Sequence, residues 1–393
     1  MAKYNCCVLF LYMVLIFHSA ESKSYENVNL LHTDLLTNYN KDVRPELDLS
    51  SRTLVKVGLH LVTLAKLDEL KGQISIVGFL NLEWTDSKLN WNPDTFSITH
   101  IYIPAEKIWK PFLLPGNSVD RPMYVDSKDS PILVFINGTV SWLPGFKWNL
   151  KCPIDTTHFP FDTQRCFATL LAWPYTNSDI EFISMFATVQ TDFLMTDVTW
   201  ELEYTQTSVG NIPFHSMSFT MNFKRRHAYF TVTLLMPLCF IGVLNILVFK
   251  IPPACGERIG YAITVLLSVS VFMTIASDLL PPSSVPHLSY ISILLLEHLT
   301  LSCVIMISTI YGLNCYHTPR EKPVHPVYHR LLCSRRQRNI RSVNLISKSN
   351  HVTETMDIVT WTDVGKMLDK VFFYFYLFLL VAIYTVYIIN VVK

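Results

Sequence analysis

Three stretches of this chain, residues 228–249, 259–277 and 371–392, contain no Asp, Glu, Lys or Arg, and a fourth, about 288–316, carries only Glu297 and His298. Each is long enough to cross ~30 Å of hydrocarbon as a helix. Four crossings place both ends of the mature chain on one side. The loop after the third carries Arg320, Lys322, Arg330, Arg335, Arg336, Arg338, Arg341 and Lys348, whereas residues 279–289 have no Lys or Arg. Positive loops stay in the cytoplasm, which puts the N-terminal half outside. The start of the chain agrees: Lys3, the apolar Cys7–Phe17 and the small Ser19-Ala20 read as a signal peptide over 1–22.

Half of the 393 residues are hydrophobic, 16% are charged and the net charge is +1, so nothing points to nucleic acid as a partner. Of the nine cysteines, Cys6 and Cys7 leave with the signal, and only Cys152 and Cys166 fall in the extracellular half. The others fall in apolar runs or at the cytoplasmic boundary, where free thiols are expected. No Cys/His cluster has metal-ligand spacing, no cofactor is expected, and no Ser/His/Asp order or phosphate loop suggests an enzyme.

Composition changes near Arg226. Before it, residues 54–64, 73–84, 132–136 with 139–143, 167–173, 199–206 and 214–223 are rich in β-branched and aromatic residues between Pro, Gly, Asn and Asp. Many short strands without a long helical period predict an all-β, immunoglobulin-like sandwich. Asn137-Gly138 fits a tight hairpin turn, and Asn137-Gly138-Thr139 is a glycosylation acceptor pattern. The expected organisation is a β-sandwich over 23–226, three membrane helices over 227–315 with a pore helix at about 257–278, a cytoplasmic loop with a short amphipathic helix over 316–366, and a fourth membrane helix over 367–393.

Cys152 and Cys166 enclose Pro-Ile-Asp-Thr-Thr-His-Phe-Pro-Phe-Asp-Thr-Gln-Arg, with a Phe-Pro-x-Asp core at Phe159, Pro160 and Asp162. This resembles the signature loop of Cys-loop receptors. Thr156 departs from the apolar residue usual there. Trp84-Thr85-Asp86, Trp91, Ile108-Trp109-Lys110-Pro111, Arg225-Arg226 and Ile263-Thr264-Val265-Leu266-Leu267-Ser268 are similar to nicotinic acetylcholine receptor subunits. The resemblance implies a bonded Cys152–Cys166 pair, a homo- or heteropentamer around a central pore, an agonist site between subunits and a pore lined by the second span. Membrane lipid and permeant cations are the other expected partners.

The second span is readable by itself. At ~100° per residue, Gly260, Thr264, Leu267, Val271 and Ile275 share one face, and the stripe extends to Glu257 and Asp278. Repeated around an axis, the carboxylates become rings that concentrate cations, and Leu267 with Val271 becomes an apolar gate. Ala254-Cys255-Gly256-Glu257-Arg258 lacks the Pro-Ala-Arg insertion typical of anion-selective members of the resembled family. Gly260 stands where a Ser or Thr is usual, which widens the filter.

Strand alternation puts Phe79 on a face with Ser75, Asn81 and Glu83, and Phe214 in phase with Ser216, Ser218, Thr220 and Asn222. By resemblance these two belong to the agonist pocket, with Trp173 as its cation-binding tryptophan and Leu143 and Gly116 completing the set. Gly116 stands where nicotinic subunits have a pocket tyrosine, and Phe112 replaces an aspartate. The agonist is left open between serotonin, another amine, a non-amine ligand and none. An auxiliary subunit that assembles without binding agonist is the alternative. Coupling to the pore is carried, by resemblance, to Glu69, Phe159-Pro160-Phe161, Arg225 and Pro281-Pro282, with a Glu69–Arg225 bridge. Glu297, deep in the third span, is expected to need a partner inside the bundle.

Overall fold

The computed structural model describes residues 25–121, 124–126, 130–210, 215–279, 288–319, 322–328 and 360–391. They form two compact units: residues 25–154 with 163–224, and residues 155–162 with 225–391. The expected signal peptide, most of the cytoplasmic loop, Pro281-Pro282 and Phe214 lie outside the described residues.

The first unit opens on α1 (Tyr25–Leu36), which turns Leu31 and Leu35 into the core. Eleven strands follow: β1 (Thr53–Asp68), β2 (Gln73–Asn90), β3 (His100–Ile103), β4 (Leu113–Pro115), β5 (Ile132–Phe135), β6 (Asn137–Trp142), β7 (Gly145–Lys151), β8 (Thr163–Ala172), β9 (Ile180–Ser184), β10 (Trp200–Gly210) and β11 (Ser216–Arg225). One sheet runs β3-β5-β6-β2-β1-β9 with β7 also on β2, and the other runs β10-β11-β8-β4. Strict alternation makes the sandwich. Ile74, Ile76, Leu80, Leu82 and Trp84 of β2 point inward, as do Met217, Phe219, Met221 and Phe223 of β11. The short β3, β4, β7 and β9 were not anticipated, because runs of three to seven residues carry too little period.

Two expectations about loops are met. Ile136, Asn137 and Gly138 turn the chain between β5 and β6; Gly138 has φ +78°, and a Cβ there would lie 2.5 Å from the Asp86 carbonyl oxygen. Only glycine fits on both counts. Cys152 and Cys166 are bonded across 14 positions and fully buried, a closure that constrains the unfolded chain by about 3 kcal/mol. Cys239, Cys255, Cys303 and Cys315 are free thiols.

The second unit holds four helices long and apolar enough to cross a membrane: Ala228–Lys250, Arg258–Asp278, Tyr290–His317 and Trp361–Val391. The first contains a wide π turn at Thr231–Leu235, immediately before Pro237, whose ring cannot donate to the ladder. The fourth begins at Trp361, ahead of the 367 start expected. Asp363 accepts hydrogen bonds from the Thr360 N–H and hydroxyl at 3.1 and 2.7 Å, capping the helix there. Val364 and Leu368 then pack on Cys315 of the third helix.

Asp369 anchors this end. The Arg258 guanidinium donates to both its oxygens at 2.9 and 2.8 Å, and both residues are buried. Removing one member of a buried pair leaves an uncompensated charge and costs about 3–5 kcal/mol. Asp369→Asn is therefore expected to lower the melting temperature and surface yield of the protein, and Arg258→Met with Asp369→Leu to recover part of both. Thermal aggregation of the purified variants reads this. A single variant as stable as the native chain contradicts it.

Candidate functional site

The second helix presents its predicted stripe to the outside of the subunit. Leu267, Val271 and Ile275 are 62%, 52% and 54% exposed, although they are large aliphatic groups. Glu257, Gly260, Thr264 and Asp278 are exposed on the same side. The opposite face is the packed one, with Ala262, Val265, Val269 and Ala276 buried. Thr264 and Ser268 donate their hydroxyl protons to Gly260 and Thr264 carbonyl oxygens at 2.8 and 2.9 Å. Their oxygen lone pairs remain on the outer surface. Down one helix face, carboxylate, glycine, hydroxyl, three aliphatic levels and carboxylate follow one another.

Glu297 lies half-buried on the flank of the third helix. The inward residue is its neighbour His298, buried, with Nδ1–H donating to the Leu294 carbonyl oxygen at 3.0 Å and Nε2 accepting from the Tyr384 hydroxyl at 3.2 Å. On the fourth helix Tyr374 and Phe378 are turned outward, 65% and 74% exposed.

The signature loop joins the second unit through Asp155–Asp162. Phe159 is buried with Leu234, Leu238, Ala276 and Ile291, and Pro160 is buried beside it, while Phe161 is half-buried and packs on the same cluster. The Tyr290 N–H donates to the Thr157 carbonyl oxygen at 3.0 Å. Arg225 gives its Nε and Nη2 protons to the two Asp162 oxygens at 2.7 and 3.1 Å, both side chains being 2% exposed. Its guanidinium also covers the rings of Phe159 at 4.8 Å and Phe230 at 5.3 Å. By resemblance the sequence pairs Arg225 with Glu69, and it does not single out Asp162 as a partner. The signal was present, since an arginine ending a strand needs an acid, and the loop core ends in one.

In the first unit Trp173 is 42% exposed just beyond β8, and Leu143 is 46% exposed between β6 and β7. Phe79 sits half-buried on the outer face of β2, opposite the inward Leu80. Gly116 follows β4, where its N–H donates to the Thr169 carbonyl oxygen at 2.7 Å. A Cβ on Gly116 would lie 2.7 Å from Leu171 Cδ1. Leu171 thus fills the space into which a larger side chain would project. Phe112 is 51% exposed and stacks on Tyr175 at 6.1 Å, with Tyr124 edge-on at 5.4 Å.

Two of the family-motif residues in this unit are held by their neighbours in the fold. Trp84 meets Trp109 edge-on at 5.8 Å, and Asp86 accepts the Tyr39 hydroxyl at 2.6 Å and the Lys88 N–H at 2.9 Å. Burial raises the Asp86 pKa, and the Tyr39 bond opposes that rise. Asn137 is exposed at its turn, open to a modifying enzyme. Among the described residues no cluster of His, Cys, Asp and Glu could hold a metal.

The chain thus combines a disulfide-closed loop and a two-sheet sandwich with four helices long and apolar enough to cross a membrane, one of them with a polar-to-apolar stripe. Residues 28–232 match the model of the neurotransmitter-gated ion-channel ligand binding domain, and residues 234–338 match that of the corresponding transmembrane region. The chain belongs to the neurotransmitter-gated ion channels, and is not an enzyme. It is 30% identical over 318 residues to the neuronal acetylcholine receptor subunit alpha-4 of Gallus gallus, covering 77% of this chain and 50% of that one. The alpha-2 subunits of Gallus gallus and Homo sapiens are 31% and 30% identical over 309 and 314 residues, covering 76% and 77% of this chain and 57% and 58% of theirs. The chain therefore spans about half the length of the curated relatives it matches. As a member of this family it is a multi-pass plasma-membrane protein with its β-sandwich outside.

Proposed function

We propose that the chain is a subunit of a pentameric, cation-selective channel opened by a small extracellular agonist. The observation that carries this is the stripe of the second helix, whose aliphatic members are left exposed by their own subunit. Exposed apolar groups alone could face lipid, but this stripe also carries Glu257, Thr264 and Asp278, and charged or polar groups in a span belong against protein or a water-filled path. Copies arranged around an axis turn Glu257 and Asp278 into acidic rings at the ends of the path. Five carboxylates facing a narrow, partly dry channel act on ions more strongly than in bulk water.

The test is the reversal potential under a NaCl gradient, with the chain expressed alone and then with acetylcholine receptor subunits. A potential that follows sodium supports the reading, and one that follows chloride removes it. Glu257→Ala is expected to shift the potential toward zero without inverting it, because Gly260 leaves the filter wide.

For the agonist, the reading supported best is an ammonium held at the interface by Trp173, with Phe79 from the neighbouring subunit. Each aromatic face is worth ~0.5–2 kcal/mol to a cation. Trp173→Ala is then expected to raise the half-maximal agonist concentration by at least ~10-fold, or 1.4 kcal/mol. An unchanged response curve moves the site elsewhere. A second reading, an auxiliary subunit that contributes no principal face, is favoured by Leu171 filling the space at Gly116. Its signature is current only in mixed assemblies, unaffected by Trp173→Ala.

A further inference from the structure

His60 of β1 stands directly opposite Phe79 of β2. Their rings stack at 4.6 Å with 11° between the planes. Phe186 meets the imidazole edge-on at 5.8 Å, and Phe193, 61% exposed, lies 5.9 Å from Phe79. The segment bearing both phenylalanines is laced along β1 by its backbone. Met185 and Gln190 donate N–H groups to Val57 and Leu59 carbonyl oxygens at 3.0 and 2.9 Å, Leu61 donates to Gln190 at 2.9 Å, and Met195 donates to Val62 at 2.8 Å. Gly58 precedes His60 on the same face, and a Cβ there would lie 2.7 Å from Phe186 Cε2. The aromatic cluster is thus built into the sheet before any ligand arrives.

The charges around the imidazole come from three elements. Asp192, beside Phe193, exerts a negative field on it. Glu83, outward on β2 with Phe79, is taken by Lys56 of β1. Lys147 of β7 is exposed next to Val77, one step further along the sheet. The imidazole Nδ1 is buried without a hydrogen-bond partner. Burial lowers the His60 pKa and Asp192 opposes the fall, so the ring is neutral at neutral pH and gains its proton on acidification.

We infer that His60 is a specificity-determining residue of the ligand pocket, which takes a small monocation in competition with a proton on this imidazole. The inference rests on the reading that Phe79 lines that pocket. With the imidazole neutral, the open side of Phe79 and the Asp192 carboxylate are free for an ammonium. With it protonated, an imidazolium is already stacked on that ring and facing that carboxylate. A second cation then meets a like charge at ring-stacking distance, and binding requires the proton to leave. A neutral ligand has no such conflict. Ligand class and acid sensitivity are therefore set by one side chain.

The experiment uses the purified full-length channel with tetramethylammonium as probe, and reads protection of Trp173 from hydroxyl-radical oxidation by mass spectrometry. In the native chain, the half-protecting concentration is expected to rise at least about threefold from about pH 7.5 to about pH 5.0, because the depressed His60 pKa moves the onset below the usual imidazole range. In His60→Gln it is expected to change by less than about twofold over that interval. Equal pH dependence in the two chains overturns the inference, as does a native chain whose Trp173 is protected independently of pH. Should His60→Gln fail to fold, the native chain serves: tetramethylammonium is expected to slow diethyl pyrocarbonate modification of His60, and an unchanged rate overturns the inference. Absence of any protection at Trp173 overturns the pocket reading itself, and this inference with it.

Discussion

Leu267→Thr is expected to produce current without agonist, or to lower the half-maximal agonist concentration by at least ~10-fold. Leu267 is the most exposed of the three aliphatic residues on the stripe, and stands one turn from Thr264. An apolar ring in a narrow path excludes water, and ions do not pass where water is absent. A hydroxyl at that level offers water a partner, so the closed state loses its advantage. Whole-cell current at rest, before and after a pore-blocking organic cation, is the measurement. A silent, unshifted Leu267→Thr channel that reaches the surface normally would place the gate at another level.

The second large effect is expected at Asp162. Asp162→Asn keeps the shape of the side chain and removes the charge that holds Arg225. With both groups 2% exposed, the guanidinium is left buried against the faces of Phe159 and Phe230 with its two-pronged carboxylate bond gone. The cost of breaking such a pair is about 3–5 kcal/mol, comparable to a large share of a domain's stability. Surface expression is expected to fall several-fold, and channels that do reach the membrane to respond with reduced maximal current. Counting surface sites with an extracellular tag separates the two outcomes. Charge reversal of both partners, Asp162→Arg with Arg225→Asp, is expected to restore part of the yield if the pair itself matters. A double variant no better than either single one would show that position, not pairing, is what the loop requires.

The stripe of the second helix was legible because it lies within one helix. Residues three or four apart share a face whatever surrounds them, so Glu257, Gly260, Thr264, Leu267, Val271, Ile275 and Asp278 could be aligned from spacing alone. The outward placement of Phe79 was legible for the same reason, with a period of two in place of 3.6. His60 was missed because its importance depends on the hairpin register that sets it opposite Phe79, and on a backbone segment more than a hundred residues later that brings Phe186 and Asp192 to it. The start of the fourth helix was misplaced for a related reason. Spacing marks where charge stops, and the helix continues beyond that point because Asp363 caps it and Asp369 has Arg258 to pair with.

The sequence by itself determined the four crossings, their orientation, the β character of the outer half, the bonded pair Cys152–Cys166 and the face of the second helix that carries carboxylates. All follow from hydropathy, from the two local periods or from a motif within a short stretch of chain. Only the tertiary structure decided which charges are buried and with whom: Arg225 with Asp162, 63 positions away, and Arg258 with Asp369, 111 positions away. It also decided that Leu171 occupies the space beside Gly116. The physical reason is that a buried charge or a filled volume is settled by what else arrives at the same place. Neighbours in space are chosen by packing the whole chain, whereas neighbours in sequence are given from the start.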